Sequence, residues 1–214
     1  MNKWMRRTSI ALAAVAVLGV AAVFAGKAMG ERKLQRIIKV AVQPVPVNVT
    51  PRVLEQGRYL FSTRGCADCH GPTGGGKEVI NSGPMLVVSP NITAGANSAI
   101  SAYKNVDWVR TMRHGVKPDG TPIMIMPSED YSRLTDADAA AIIAYVSQLA
   151  PVPGHTRKVQ LPFMVKVLYG FGVVRDAAEI IDHALPPEQP VKAEVSIAHG
   201  AYVAYSCVGC HGAN

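Results

Sequence analysis

Cys66-Ala67-Asp68-Cys69-His70 is the stretch that most restricts what this chain can become, and it returns as Cys207-Val208-Gly209-Cys210-His211. Two thiols three positions apart on a helical turn can each add to one of the two vinyl groups along a haem edge. The His after the second Cys then lies under the iron and can bind it axially. The expectation is covalent haem at Cys66 and Cys69 and again at Cys207 and Cys210, with His70 and His211 on the iron. All four Cys fall in the two motifs, so no thiol is left for a disulfide. Four free thiols would be a liability in an oxidising compartment, and thioether bonds to haem remove it.

Two other uses of the thiols compete. A structural zinc site could draw on Cys66, Cys69, Cys207 and Cys210. It gives neither His a reason and joins ligands across a long Pro-rich linker. A thioredoxin-like redox pair needs a βαβ surrounding that neither motif has.

The formal charge of +7 points away from nucleic acid once it is located. Residues 1–50 hold eight bases and one acid, leaving 14 bases and 14 acids for residues 51–214. Nucleic-acid binding needs a basic face on a folded domain. Bases flanking an apolar segment fit a membrane surface instead. That segment is Thr8 to Gly26, 19 residues without a charge. At ~1.5 Å rise per residue it makes about 28 Å of helix, close to the hydrocarbon core of a bilayer. We read residues 1–30 as a signal-anchor helix, with a cleaved signal peptide ending near Val23-Phe24-Ala25 as the alternative. Residues 31–50 begin basic and turn Pro- and Val-rich, which predicts an extended tether.

Residues 51–152 read as a small helical domain. Val53, Gly57, Leu60 and Phe61 have helical spacing and lead straight into Cys66. Gly71 to Gly76 is a loop, and Lys117-Pro118-Asp119-Gly120 is a turn. Asp107 is expected to cap a short helix through Arg113 with Trp108, Val109 and Met112 on its apolar side. Thr135 opens a helix to about Leu149, with Ile142, Ile143, Val146 and Leu149 facing inward. Such a domain has little core of its own, and a buried haem would supply apolar contact. In the connecting segment 153–193, Leu161 to Val174 is expected to pack as a helix against the domain, with membrane contact as the alternative. Residues 194–214 start the domain again: Gly57-Arg58-Tyr59 precedes the first motif, and Gly200-Ala201-Tyr202 the second. The second copy stops at Asn214 without room for a distal ligand, so the chain is expected to be a fragment. The fold class expected is all-α.

A six-coordinate iron needs a ligand opposite His70. Met126, in Ile123-Met124-Ile125-Met126-Pro127, is the leading candidate, and Met124 its nearest rival. A thioether favours Fe(II) and raises the potential. His114 is a weaker candidate for a bis-His site. Arg110, Arg113 and Trp108 are candidates to reach haem propionates. His155, His183 and His199 have no partner legible in the sequence.

Gly57-Arg58-Tyr59-Leu60, Cys66 to Gly71, Pro90-Asn91-Ile92-Thr93, Trp108-Val109-Arg110, Arg113-His114-Gly115-Val116, Asp119-Gly120, Met126-Pro127-Ser128 and Leu134-Thr135-Asp136 follow in order. The series resembles membrane-anchored diheme class I cytochromes c, over roughly residues 50–152. It is also similar to the cytochrome c subunits of membrane-bound alcohol and gluconate dehydrogenases. The resemblance implies His70, Met126 and His211 as axial ligands, and Asn91 to Thr93 as a wall of the haem pocket. It implies a non-enzymatic carrier of single electrons between redox proteins, a dehydrogenase as donor and an oxidase or cytochrome as acceptor. It places the carrier on the periplasmic face of a bacterial cytoplasmic membrane. The haem content expected is one complete haem c site and a second at the C-terminal motif. A diheme peroxidase is the enzymatic alternative, which needs an open distal site beside an acid/base group.

Overall fold

The computed structural model describes residues 2–207 and 211–212. They form two compact units, one comprising the N-terminal residues to Arg36 with Leu161–Arg175, the other Ile37–Gln160 with the residues from Asp176 onward.

In the first unit, helix α1 (Lys3–Leu34) is capped by Asn2 and runs for 32 residues. Its most apolar 18 residues have a mean hydropathy of 2.4, enough in length and composition to cross a membrane. The packing partner of helix α7 (Phe163–Gly170) is α1. The two backbones close on small residues: a Cβ on Gly30 would lie 2.1 Å from the Lys166 carbonyl oxygen, and one on Gly170 2.0 Å from that of Gly26. Phe24 meets Phe163 edge-on at 6.1 Å, Lys33 sits 4.4 Å over the Tyr169 ring, and Lys166 pairs with Glu31 at 3.2 Å. The helix expected within residues 161–174 is present, and within this unit it packs on α1. The side of α1 that carries Gly26 and Gly30 offers backbone contact that a side chain would block.

The second unit carries the cysteine motif. Helix α2 (Pro51–Thr63) starts at Thr50, whose hydroxyl accepts from the Val53 amide at 3.3 Å, with Pro51 in the first turn. Gly57, Leu60 and Phe61 form its buried face. Helix α3 (Cys66–His70) follows after Gly65. Helix α4 (Asn105–His114) starts one turn earlier than expected. Asp107 sits at its third position, where its carboxylate accepts from the Lys104 amide at 2.9 Å, so it closes the first turn from inside. After α5 (Ser128–Tyr131) comes α6 (Asp136–Ser147), capped by Thr135, whose hydroxyl accepts from Asp138 at 3.1 Å. Ile142, Ile143 and Val146 are buried as expected, and Ala139, Ala140, Ala141 and Ala144 join them. Helices α8 (Ala177–Ile180) and α9 (Ile197–Ala204) follow, and a 3-10 turn (Tyr205–Cys207) continues α9.

Helix α2 lies across α6 as closely as backbones allow. A Cβ on Gly57 would stand 2.0 Å from the Ala141 carbonyl oxygen and 2.6 Å from the Tyr145 Cβ. Beside the crossing, Phe61 and Tyr145 stack tilted at 5.5 Å. The extended residues 35–49 do not hang free of this unit. Val45 is buried, Val42 and Val47 pack on the core, and the Val45 carbonyl accepts from Asn105 at 2.7 Å. The Ile38 amide donates to Gly120 at 2.8 Å.

The chain is mostly helical, but the all-α expectation is corrected by a small antiparallel sheet. Strand β1 (Glu78–Ser82) turns through Gly83-Pro84 into β2 (Met85–Val88), and β3 (Lys158–Gln160) pairs with the other edge of β2. Val79-Ile80 and Leu86-Val87-Val88 are strand formers separated by a two-residue turn, the shortest hairpin signal. The third strand arrives from 70 residues away, a pairing no local pattern announces.

Gly57→Ala is expected to destabilise the matured protein by about 1–3 kcal/mol through overpacking at the α2–α6 crossing. Ser62→Ala, on the exposed side of α2, is expected to change little. Denaturant unfolding of both variants checks this, and equal midpoints would show that the crossing tolerates a side chain.

Candidate haem site

Cys66, Ala67, Ile92, Trp108 and Met126 all pack, half-buried, against one core cluster that includes Leu60, Phe61, Met112, Tyr131 and Leu134. The structure therefore gathers the first motif, the candidate methionine and the Asn91–Thr93 segment around the same apolar centre. Met124 is half-buried but does not belong to that cluster. The two motif thiols are both free, on a helix of five residues. Burial pushes the Cys66 thiol up to about 12, with Cys69 and Asp68 adding repulsion. It also raises Cys69. Both therefore pack as neutral thiols.

His70 is held by its own backbone environment. Its Nδ1 lies 2.9 Å from the Pro90 carbonyl oxygen. A carbonyl only accepts, so Nδ1 carries the proton and Nε2 is the nitrogen left for a metal. Burial lowers the pKa of His70, and the Pro90 bond opposes that in part. The carbonyl that orients the ring belongs to a segment tied down at both ends. Ser89 Oγ donates to the Cys69 carbonyl and accepts from the Lys77 amide at 3.0 Å. Ser89 is a positioning residue that no spacing in the sequence singles out.

Asn91 is wholly buried and is the hub of this tie. Its Nδ2 donates to Ala96 and Val152 carbonyls, both at 2.9 Å, and its Oδ1 accepts from the Thr93 amide and hydroxyl, both at 2.8 Å. Thr93 Oγ1 also accepts from the Val152 amide at 3.2 Å. The polar groups of Asn91 and Thr93 thus knot the loop to the chain leaving α6. Ile92 between them is the side chain that packs on the core cluster. In the segment expected to line the haem pocket, Ile92 packs on the core while Asn91 and Thr93 hold it in place.

Met126 is pinned through its neighbour. The Ser128 amide donates to the Met126 carbonyl at 2.8 Å, and Ser128 Oγ donates to the Thr111 carbonyl at 2.9 Å near the end of α4. Tyr131, one turn on, donates from its hydroxyl to the Arg64 carbonyl at 2.8 Å, next to the motif. The loop bearing Met126 and the segment bearing Cys66 are thereby fastened together.

The basic residues proposed for propionates are engaged elsewhere. Arg113 is buried and donates to the Leu134 carbonyl at 2.6 Å and to Asp136 at 2.7 Å. Arg110 pairs with Asp107. Trp108 stacks edge-on with Tyr103 at 5.3 Å. His114 has a partner the sequence did not reveal: its Nδ1 lies 3.0 Å from Nδ1 of His183, whose Nε2 is 3.0 Å from the Ala178 carbonyl oxygen. That carbonyl makes His183 Nε2 a donor, and the two Nδ1 atoms share one hydrogen bond between the rings. Burial lowers His114 to about 4, with His183, Arg113 and Arg110 acting the same way.

At the second motif, Cys207 and His211 are exposed, and Cys210 lies outside the described residues. The helix approaching it docks on the first domain. Tyr202 donates to Asp138 at 2.6 Å and accepts from the Thr135 amide at 3.2 Å.

The donor set suits a metal that arrives inside a macrocycle. Among the described residues, no group of three or more His, Cys, Asp and Glu is placed to hold a bare ion. Two thiols for a covalent edge, one oriented imidazole and one half-buried thioether around an apolar centre fit haem c. Such a helical unit, built on C-x-x-C-H with its ligand loop behind it, defines a c-type haem domain.

Residues 54–150 match the Cytochrome c family, and this stretch is a cytochrome c domain, which implies covalently bound haem c. The fructose dehydrogenase cytochrome subunit of Gluconobacter japonicus is 31% identical over 145 residues, covering 64% of this chain and 30% of that protein. The gluconate 2-dehydrogenase cytochrome c subunit of Pantoea cypripedii is 27% identical over 172 residues, 74% of this chain and 38% of its own length. For the alcohol dehydrogenase (quinone) cytochrome c subunit of Gluconobacter oxydans the identity is 25% over 169 residues, with 74% and 35% covered. The chain spans about a third of the length of these curated relatives.

Asn91→Ala would strand the Thr93 and Val152 groups it serves. A loss of about 2–4 kcal/mol in the unfolding free energy of the matured protein is expected, at about 1–3 kcal/mol per buried unsatisfied group. A variant as stable as the parent would remove Asn91 from the tie.

The histidine pair makes a pH prediction. The folded state holds His114 neutral below its unfolded pKa, so it binds fewer protons than the unfolded chain. Stability is present above about pH 6.5 and falls as pH drops toward 4. The loss is on the order of 1–2 kcal/mol after discounting for the partial exposure of the ring. His114→Gln should flatten thermal unfolding across this window relative to the parent, and parallel curves would refute the assignment.

Proposed function

We propose that this chain carries single electrons between redox proteins through haem c. Cys66 and Cys69 hold it covalently, and His70 and Met126 are its axial ligands. The observation that carries this reading is an oriented imidazole in a motif whose Cys66 and Ala67 pack on the same apolar centre as Met126. His70 is aimed by Pro90, and Met126 is set by the Ser128 anchor. Haem c bound there supplies reversible one-electron chemistry at its iron. The protein's part is to keep that centre rigid and dry. The Asn91 tie, the Tyr131–Arg64 bond and the α2–α6 crossing hold the ligand-bearing segments in place, which limits rearrangement when the charge changes.

Cys207, Cys210 and His211 are proposed as the attachment site and proximal ligand of a second haem c. Helix α1 is proposed as a membrane anchor that keeps the domain on the periplasmic side of a bacterial cytoplasmic membrane. Its length and hydropathy and the bases at both ends support the anchor, while the periplasmic side follows from the family resemblance. A dehydrogenase is the proposed donor, because the relatives are named as cytochrome subunits of dehydrogenases. An oxidase or a further cytochrome is the proposed acceptor. The same names favour electron transfer over the peroxidase alternative.

Met126→Ala in the matured protein is expected to abolish the sulfur-to-iron charge-transfer absorption and lower the midpoint potential of the first haem, because a thioether favours Fe(II). Met124→Ala is expected to leave both unchanged. If the two variants exchange these outcomes, Met124 is the ligand.

A further inference from the structure

The unit that contains α1 carries an apolar surface that the electron-carrier reading does not use. On α7, Met164, Leu168 and Phe171 fall within roughly 60° of one another at 3.6 residues per turn, and all three are exposed. Phe163 at the start of the helix and Val173 just beyond its end are exposed as well. The opposite side of α7 is spent on α1, through Tyr169, which is fully buried, and through Gly170. A short helix with one side on a neighbour and an aromatic and aliphatic face outward needs something to cover it.

The crossing says what covers it. Phe163 and Phe171 are eight residues, or roughly 12 Å, apart along α7. Phe163 meets Phe24 of α1, and Phe171 meets Gly26, barely half a turn away. Between these ends Lys166 meets Gly30 and Glu31 and Tyr169 meets Lys33, so the contacts run from Phe24 to Lys33 and α7 crosses α1 at an incline. It does so where the uncharged run of α1 ends at Gly26 and the basic stretch of Lys27, Arg32, Lys33 and Arg36 begins. If α1 stands along the bilayer normal, α7 sits at the level of the interface at that boundary. Its lysine, Lys166, is tied to Glu31 of α1 at 3.2 Å, away from the apolar face.

We propose that α7 is an interfacial helix that buries Met164, Leu168 and Phe171 at the headgroup–acyl boundary of the membrane crossed by α1. The flanking bases would meet anionic lipid headgroups at the same level. A basic collar and an apolar face at one depth match a lipid surface better than a protein groove. This inference rests on α1 being a membrane anchor. Its consequence is a two-point attachment, in which a helix lying across the anchor restricts its tilt.

Nitroxide labels test it on the full, haem-matured chain in vesicles of phosphatidylethanolamine and phosphatidylglycerol. They are introduced as Met164→Cys, Leu168→Cys and, within the uncharged run of α1, Leu12→Cys. The motif cysteines are held as thioethers and do not compete for label. At 164 and 168 we expect oxygen collisions to exceed those of a neutral nickel chelate several-fold, at a depth shallower than at 12. Nickel accessibility at 164 and 168 like that of an exposed loop label at Ser98, with 12 still lipid-embedded, overturns the proposal for α7 and leaves the anchor standing. Water exposure at all three positions overturns the anchor. A label at 164 or 168 immobilised and shielded from both collision partners means a protein covers this face, which also overturns the proposal. Leu168→Glu gives a second readout. It should weaken retention of the protein on vesicles during alkaline washing at least several-fold less than deletion of α1, yet measurably, with the haem spectrum unchanged.

Discussion

Two helices meet at Gly57 with no room for a side chain, and the haem-binding unit depends on that contact. It brings α2, which ends at the motif, against α6, which closes the domain. Residues 84 positions apart, Gly57 and Ala141, become one apolar layer, and Phe61 and Tyr145 extend it. Cys66, Ile92 and Met126 then have a surface to pack on. Were the helices held farther apart, that surface would be split. A domain of this size buries too little apolar area to tolerate that.

Around this crossing, orientation is delegated to polar groups that bond to the backbone. Pro90 aims His70, Ser89 binds the motif backbone, and Asn91 ties both to the segment after α6. Ser128 and Tyr131 do the same for the loop with Met126. Ser89, Asn91, Ser128 and Tyr131 are buried, so a missing partner at any of them would be costly. The division of labour is physical. Soft or aromatic donors suit the metal, while hydroxyls and amides suit backbone carbonyls.

Much of this was legible in the residues. The thiol spacing, Met126 before Pro127, and the helical periods at Val53–Phe61 and Ile142–Val146 are local patterns, and local patterns survive reading in one dimension. The engagement of Arg110 and Arg113 was not legible. An Arg beside a proposed haem site looks available until Asp107, Leu134 and Asp136 are seen to take it. The His114–His183 pair joins residues 69 positions apart. Strand β3 was hidden for the same reason, since its partner β2 lies far along the chain. The helix at 163–170 was foreseen, but its partner was not, because small residues on α1 announce close approach without naming who approaches.

The sequence by itself determined the chemistry: paired thiols followed by His at one spacing leave few uses, and a charge-free run of 19 residues between bases has few destinations. Tertiary structure alone decided that Nδ1 of His70 is taken by a carbonyl, leaving Nε2 open, and that Met126 and not Met124 packs on the core cluster. It also decided that Asn91 and Thr93 are anchors with Ile92 on the core between them. These outcomes rest on hydrogen bonds and contacts between segments far apart in the chain, whose geometry exists only once the helices have closed on Gly57.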